Sequence, residues 1–427
     1  MVSPGSEILD YLVGVAEKYH VNKHFVGGTV WQGARWQDST HTWQVQLQDI
    51  LTGQLFTREC CVLISAVGGL VDPHPFRVPG IETFSGDIMH TARWKQEVNV
   101  DAKKVAVIGN GASASQLVSA IAEKTHSVTQ LMRTPHHIMP SWNLRISSTY
   151  QTLLRYIPGL LFLLRILLVG YMETSFRQFD ARESRVPERM RSVASSYEHI
   201  QKNAPSKETP LGRMRISSTD KATSLAKYWN LLLPTYEFGC KRRIFDRHYI
   251  STLRRSNVHL VDDRVTAIEG KDILTRTGMR FEADVLILAT GFSLTQYDIP
   301  LIGRHGKPLQ SHWDACGNKS VYKSVAMHGF PNFFFVLGPN SGRANTSTIL
   351  SIESFVELII AAVGPVFRGE HTSVEVQLES EKMYNDNLRS SLRHSVQDNS
   401  CASVGLEAVD PSSSEAGSPR VLRYFGG

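Results

Sequence analysis

The stretch V-A-V-I-G-N-G-A-S-A-S-Q-L-V-S-A-I-A, Val105 to Ala122, constrains the fold of this chain more than any other. An apolar run of strand length meets a glycine turn, and a helical stripe of Leu117, Val118 and Ile121 follows. Gly109, Gly111 and Ala114 fill the small positions of G-x-G-x-x-A in that strand–turn–helix context. Gly109 permits the tight turn, Gly111 lets the backbone approach a pyrophosphate, and Ala114 allows close helix–strand packing. The helix N-terminus, with Ser113 in its first turn, offers N–H groups and partial positive charge to phosphate. An ordinary strand–turn–helix with incidental glycines is the competing reading of the motif alone. The position is unusual, because such a turn ordinarily opens a chain and this one follows a hundred residues.

The next apolar segment, S-V-T-Q-L-M, runs into Met132-Arg133-Thr134 with no acidic residue at its end. An acid there would bind the ribose 2′-hydroxyl of NAD, whereas a basic residue accommodates a 2′-phosphate. The sequence therefore favours NADPH, with Arg133 and Thr134 near the phosphate; a plain surface charge is the alternative for Arg133. A formal net charge of +6 invites a nucleic-acid reading. The basic clusters are short, however: Lys103-Lys104, Lys241-Arg242-Arg243 and Arg254-Arg255. That pattern suits phosphate-bearing cofactors and argues against nucleic acid. The five cysteines are odd in number and lack C-x-x-C spacing, which points to reduced thiols in a cytoplasmic enzyme without a metal site. No basic start followed by an apolar run marks a signal peptide.

Along the chain, periodicity predicts a helix over Glu7 to Tyr19 and a strand over Thr42 to Leu47. The apolar run Cys60 to Ala66 predicts a strand buried on both faces. Residues 141–233 read as a helical insert, and strands resume at N-V-H-L-V and at A-D-V-L-I-L-A-T-G-F, Ala283 to Phe292. F-F-F-V-L-G, Phe333 to Gly338, is a further strand, with a long helix from about Thr346. The apolar segment Ile157 to Met172 is shorter than the ~20 residues a bilayer core needs, and Arg165 interrupts it. It reads as a buried helix rather than an integral span, with peripheral contact at a membrane surface as the alternative. The Ser/Gly/Pro-rich tail reads as disordered.

Between these landmarks lies F-S-G-D-I-M-H-T-A-R-W, Phe84 to Trp94. It resembles the fingerprint F-x-G-x-x-x-H-x-x-x-W of the flavin-dependent Baeyer–Villiger monooxygenases. Phe84, Gly86, His90 and Trp94 match, while Lys95 departs where the family carries Pro or Asp. The N- and S-oxygenating flavin monooxygenases, an alternative class, usually carry Tyr or Phe at the Trp94 position. L-I-S-A-V-G-G-L-V-D-P and A-D-V-L-I-L-A-T-G-F, with Gly291, resemble the family's two strand-end motifs. G-C-K-R, Gly239 to Arg242, is similar to the segment presenting two basic residues. Gly329 to Ser341, with Asn340, is similar to the strand and turn lining the flavin pocket.

The resemblance implies an α/β flavoprotein with two Rossmann-like dinucleotide-binding domains, for FAD and NADPH, and a helical insert. Residues 1–98 and 281–403 fall to the FAD domain, 99–140 and 234–280 to the NADPH domain, 141–233 to the insert, and 404–427 to the tail. Hydride passes from NADPH to FAD, and reduced flavin activates O2 for insertion beside a carbonyl, giving an ester or lactone. Arg242 is the implied catalytic cation, because a guanidinium stays protonated beside a developing anion. Lys241 is the implied 2′-phosphate ligand, His90 a second catalytic candidate, and Gly291 and Asn340 cofactor contacts. The family's own FAD glycine motif has no counterpart before Gly109. The expectation is thus a truncated flavin domain that holds FAD weakly, with an inactive remnant that keeps NADP binding as an alternative. A simple NADPH reductase would leave the fingerprint unexplained.

Overall fold

The structure, a computed structural model, describes residues 5–141, 146–203, 228–293, 297–341 and 347–396. The chain divides into two compact units: 1–68, 142–175 and 297–389 form the first, and 69–141, 176–296 and 390–427 the second. The expected disordered tail, 404–427, lies outside the described residues.

The second unit is built on a five-stranded sheet in the order Val258–Asp262, Ser127–Met132, Lys104–Ile108, Val285–Leu288, Asp87–His90. All four pairings are parallel. Parallel strands are covered on both faces, which is why Val105–Ile108 and Val285–Leu288 read as continuous apolar runs. On one face, Ala114, Val118 and Ile121 of the Ala112–Ile121 helix pack with Val107, Val128, Ile250 and Leu253. On the other, Ala106, Leu131 and Leu286 pack with Phe84, Val265, Ile268 and Ile273. Gly86 belongs to the fingerprint for a steric reason. A Cβ there would lie 2.2 Å from the Asp284 carbonyl oxygen, so only glycine lets the Asp87–His90 strand dock beside Val285–Leu288.

In the first unit, a four-stranded sheet runs in the order Leu301–Ile302, Thr29–Gln37, Thr42–Asp49, Leu55–Cys60. Its core gathers Trp36, Trp43, Val45, Trp313, Phe330, Phe333 and Phe335. Trp43 is completely buried, and its indole N–H donates to the Pro331 carbonyl at 2.9 Å. A parallel pair, Leu63–Ser65 with Phe333–Phe335, completes the strands.

Three expectations are corrected. The Cys60–Ala66 run breaks into Leu55–Cys60 and Leu63–Ser65, and Ile64 is 46% exposed rather than buried. Among the described residues the Leu63–Ser65 strand pairs on one edge only, so it is not the central, doubly covered strand that a continuous apolar run implies. The Leu160–Ser175 helix forms as expected, yet Leu161, Phe162, Ile166, Leu167 and Tyr171 are exposed rather than buried. Arg165, which interrupts it, forms an ion pair with Glu353. Apolar composition says that a helix needs cover, not that the fold supplies it. Cys60, Cys61 and Cys316 are free, but Cys240 is disulfide-bonded, against the all-reduced expectation. A cysteine count carries no record of which thiols meet in space. The Thr348–Phe367 helix, 20 residues at a mean hydropathy of 1.9, is long and apolar enough by length and composition to cross a membrane, although it carries Glu353 and Glu357.

Candidate functional site

Two segments far apart in sequence meet in the second unit. Ile138–Pro140 pairs in parallel with Ile244–Asp246, which brings Arg133–His137 beside Gly239–Arg243. The Ile244 N–H donates to the His137 carbonyl at 3.0 Å and fixes that register. Asn110, inside the glycine turn, donates its amide to the Thr134 carbonyl at 2.6 Å. The turn, the Arg133-Thr134 strand end and the G-C-K-R segment are therefore one assembly.

Gly109 stands where the order of strands reverses, between Lys104–Ile108 and Val285–Leu288, at their carboxyl ends. In open parallel sheets that crevice is where ligands bind. Gly109 has φ 120°, and a Cβ would sit 2.4 Å from the Ala289 carbonyl oxygen. Ala114 is fully buried against the sheet, as its small size requires. Gly111 caps the helix and brings no side chain to occupy the first-turn N–H groups, and Ser113 is exposed beside them.

The electrostatics of the assembly point to an anion. Burial, followed by the charge of Arg133, lowers the Lys241 pKa to about 8. Its ammonium lies 5.4 Å from the Tyr236 ring centroid. Among the described residues no carboxylate pairs with Lys241 or Arg133. A part-buried ammonium whose pKa a neighbouring guanidinium lowers, with no carboxylate paired to it among the described residues, suits a phosphate dianion.

Arg242 is exposed, and its backbone is held from below. The His136 Nδ1 faces the Arg242 carbonyl at 3.3 Å, so that nitrogen carries the proton. His137 faces the Tyr236 carbonyl through Nε2 at 3.4 Å. Both imidazoles are buried, and burial is the main cause that lowers each pKa to about 4. They are neutral braces of the strand pair. Sequence reasoning missed them; the signal was two adjacent histidines directly after Arg133-Thr134-Pro135.

His90 ends the Asp87–His90 strand and is 8% exposed. Its Nδ1 accepts the Ala92 N–H at 3.1 Å, and its ring meets Phe292 edge-on at 5.8 Å. Burial lowers its pKa, partly offset by the Gly291 backbone. Gly291 has φ 83°, with nothing within 4 Å of the position a Cβ would take. Asn340 lies in the first unit, after the Phe333–Phe335 strand, at φ 66°. That unit also holds an apolar cavity of about 220 Å³, lined by Trp31, Leu63, Ser65, Val67 and Phe333 among others. The structure thus joins Gly109, Gly111, Ser113, Ala114, Arg133, Thr134, Lys241 and Arg242 in one unit, with His90 at the end of a strand of its five-stranded sheet and Gly291 just past the Val285–Leu288 strand.

The flavin-binding monooxygenase-like family profile matches residues 3–155. A Baeyer–Villiger monooxygenase of Pseudomonas aeruginosa is 30% identical over 394 residues, which cover 91% of this chain and 69% of that protein. The chain belongs to the Baeyer–Villiger monooxygenase family. A second Baeyer–Villiger monooxygenase, from Streptomyces coelicolor, is 31% identical over 347 residues, 81% of this chain and 61% of its own length. An uncharacterized monooxygenase of Sinorhizobium fredii is 30% identical over 380 residues, 88% of this chain and 55% of its own. The chain therefore spans little more than half the length of these two curated relatives. In fold it is similar to an oxidized steroid monooxygenase bound to NADP, with a TM-score of 0.75 and 22% identity over 93% of this chain and 78% of that one. These Baeyer–Villiger relatives give the Phe84–Trp94 fingerprint its context, and the structure gives Phe84 and Gly86 their packing reasons.

Proposed function

We propose that this chain serves an FAD- and NADPH-dependent oxygenation of a ketone or aldehyde to an ester or lactone, with O2 as the oxygen source. Lys241 and Arg133, beside the Gly109 turn and without a carboxylate partner among the described residues, carry the reading, because they ask for the 2′-phosphate that distinguishes NADPH from NADH. The helix N-terminus at Gly111 takes the pyrophosphate, with Ser113 beside it and Thr134 tied to the turn through Asn110.

Flavin, when bound, accepts hydride from the nicotinamide and activates dioxygen. The residues of this chain hold, orient and stabilise. Gly291 leaves open space near its backbone in the second unit. In the first unit, taken by itself, the 220 Å³ apolar cavity and Asn340 are the candidates for flavin contact. Arg242, always protonated, stabilises negative charge developing on oxygen without itself exchanging a proton. His136 holds the Arg242 backbone in place. His90, neutral and buried, orients the strand end against Phe292 rather than transferring a proton.

The test begins with the visible spectrum of the purified chain after incubation with FAD and desalting. NADPH should bleach the retained flavin without air, and a cyclic ketone in air should yield lactone. Arg242→Ala is expected to bleach normally and form no product. Flavin that NADPH leaves unbleached would overturn the reading, and lactone from Arg242→Ala would remove Arg242 from its role.

A further inference from the structure

Gln130 sits in the middle of the Ser127–Met132 strand and is completely buried. A primary amide in a core needs partners at both ends. Its Nε2 donates to the Gly109 carbonyl at 2.9 Å, and its Oε1 accepts the Tyr249 hydroxyl at 2.8 Å. The orientation follows from chemistry: a carbonyl only accepts, so the NH2 end must face Gly109 and Tyr249 must be the donor. Tyr249 is itself fixed. It is 4% exposed, and its backbone N–H donates to Asp246 Oδ1 at 2.7 Å. Asp246 Oδ2 in turn lies 2.9 Å from His199 Nε2. Burial pushes the Tyr249 hydroxyl pKa well above its ordinary value, which keeps the proton on the donor.

We infer that the Asp246–Tyr249–Gln130 chain of hydrogen bonds sets the plane of the Gly109–Asn110 peptide, and so shapes the pyrophosphate subsite of the NADPH site. In a trans peptide the C=O and the following N–H point in opposite directions. Drawing the Gly109 oxygen into the sheet aims the Asn110 N–H away from it, toward the crevice at the strand ends. Among the described residues no protein acceptor takes that N–H. The lock answers a specific weakness. Gly109 at φ 120° lacks the steric restraint a side chain imposes, so its peptide needs a partner outside the turn to hold one orientation. The Gly109 N–H to Leu131 and the Asn110 side chain to Thr134 tie the flanks of the turn but leave that carbonyl free to rotate. Gln130 and Tyr249 are positioning residues, since both act through the backbone of the turn.

This inference rests on the NADPH reading, and one pair of ligands separates the two. NADPH carries both the 2′-phosphate and the pyrophosphate, whereas adenosine 2′-phosphate carries only the former. Affinities would be titrated calorimetrically for wild type, Tyr249→Phe, Gln130→Met and Lys241→Ala, each shown by circular dichroism to be folded. Tyr249→Phe keeps the ring and deletes the donor, and is expected to weaken NADPH about five- to tenfold while adenosine 2′-phosphate changes less than about twofold. Gln130→Met should give the same pattern and decides the matter alone if Tyr249→Phe does not fold. Lys241→Ala should weaken both ligands. A wild type that binds NADPH no better than NADH defeats the NADPH reading itself. A wild type that prefers NADPH, with both positioning variants unchanged or weakened equally toward the two ligands, defeats this inference and leaves that reading standing.

Discussion

The apolar strands of the second unit find cover on both faces, and the apolar helices of the first do not. Val107, Leu286 and Ile287 are essentially inaccessible between two clusters of side chains. Leu161, Phe162 and Leu167, equally apolar, are each at least 60% exposed along the Leu160–Ser175 helix. The first unit does have a dense centre, where Trp43, Phe333 and Phe335 meet edge to face at 4.8–5.9 Å. Its stability is therefore concentrated in that aromatic cluster, whereas the second unit spreads burial over a whole sheet.

Phe333→Ala probes that concentration most severely. The ring is fully buried between Trp43 and Phe335, so its removal should cost about 3–5 kcal/mol. Urea unfolding followed by tryptophan fluorescence should show the loss, since Trp36, Trp43 and Trp313 share this core. NADPH affinity in dilute buffer is expected to stay near the wild-type value. A parallel fall in affinity would show that the two units are energetically one.

Acid reverses the comparison and attacks the second unit. His136 and His137 have folded pKa values near 4 against 6.5 for the free side chain. Between those values the unfolded chain binds protons that the folded unit refuses. Stability is fully present above about pH 6.5 and falls as pH drops toward 4, by roughly 3 kcal/mol for each histidine. His136→Gln/His137→Gln should flatten that slope, although the variant starts less stable. An unchanged slope would place the acid sensitivity elsewhere.

The contrast also marks what could be read in advance. S-V-T-Q-L-M is the strand Ser127–Met132 residue for residue, because alternation and a following turn are local signals. The glycine turn and the resemblance of Phe84–Trp94 to the fingerprint were legible for the same reason: each depends on spacing within a few residues. Cover is not local. Asn332 donates to the Cys61 carbonyl across 271 residues, and Leu63–Ser65 is held by a strand equally remote, so nothing near Cys60 could announce where that strand would break. Gln130 was legible as a strand residue but not as a clamp, since its partners Gly109 and Tyr249 come from two other segments. The Cys240 disulfide was hidden likewise.

Lys241→Ala removes charge and little else, and so tests the anion site without touching either core. If the ammonium meets the 2′-phosphate through a charge-assisted bond, NADPH should lose about 1.5–3 kcal/mol, roughly ten- to a hundredfold in affinity. NADH should bind almost as before. Equal weakening of the two nucleotides would sink the assignment.

The smallest effect expected is also the most specific, because it comes from one proton on Lys241. Its folded pKa of about 8 lies below its ordinary 10.5, chiefly through burial and then through Arg133. The folded unit carries the full penalty of that buried charge below about pH 8 and is relieved of it as pH rises toward 10.5, so the free protein gains stability in mild alkali. Nucleotide binding must move the other way. A phosphate dianion beside Lys241 favours its charged form and raises the pKa again, so binding near pH 8 takes up a proton. NADPH affinity should fall about threefold between pH 7.5 and 8.5, while NADH affinity stays level. Calorimetry in two buffers of different ionisation enthalpy would count the proton directly. Lys241→Ala should abolish both the uptake and the pH dependence. If the uptake survives in that variant, the titrating group is another one, and the phosphate lies elsewhere than beside Lys241.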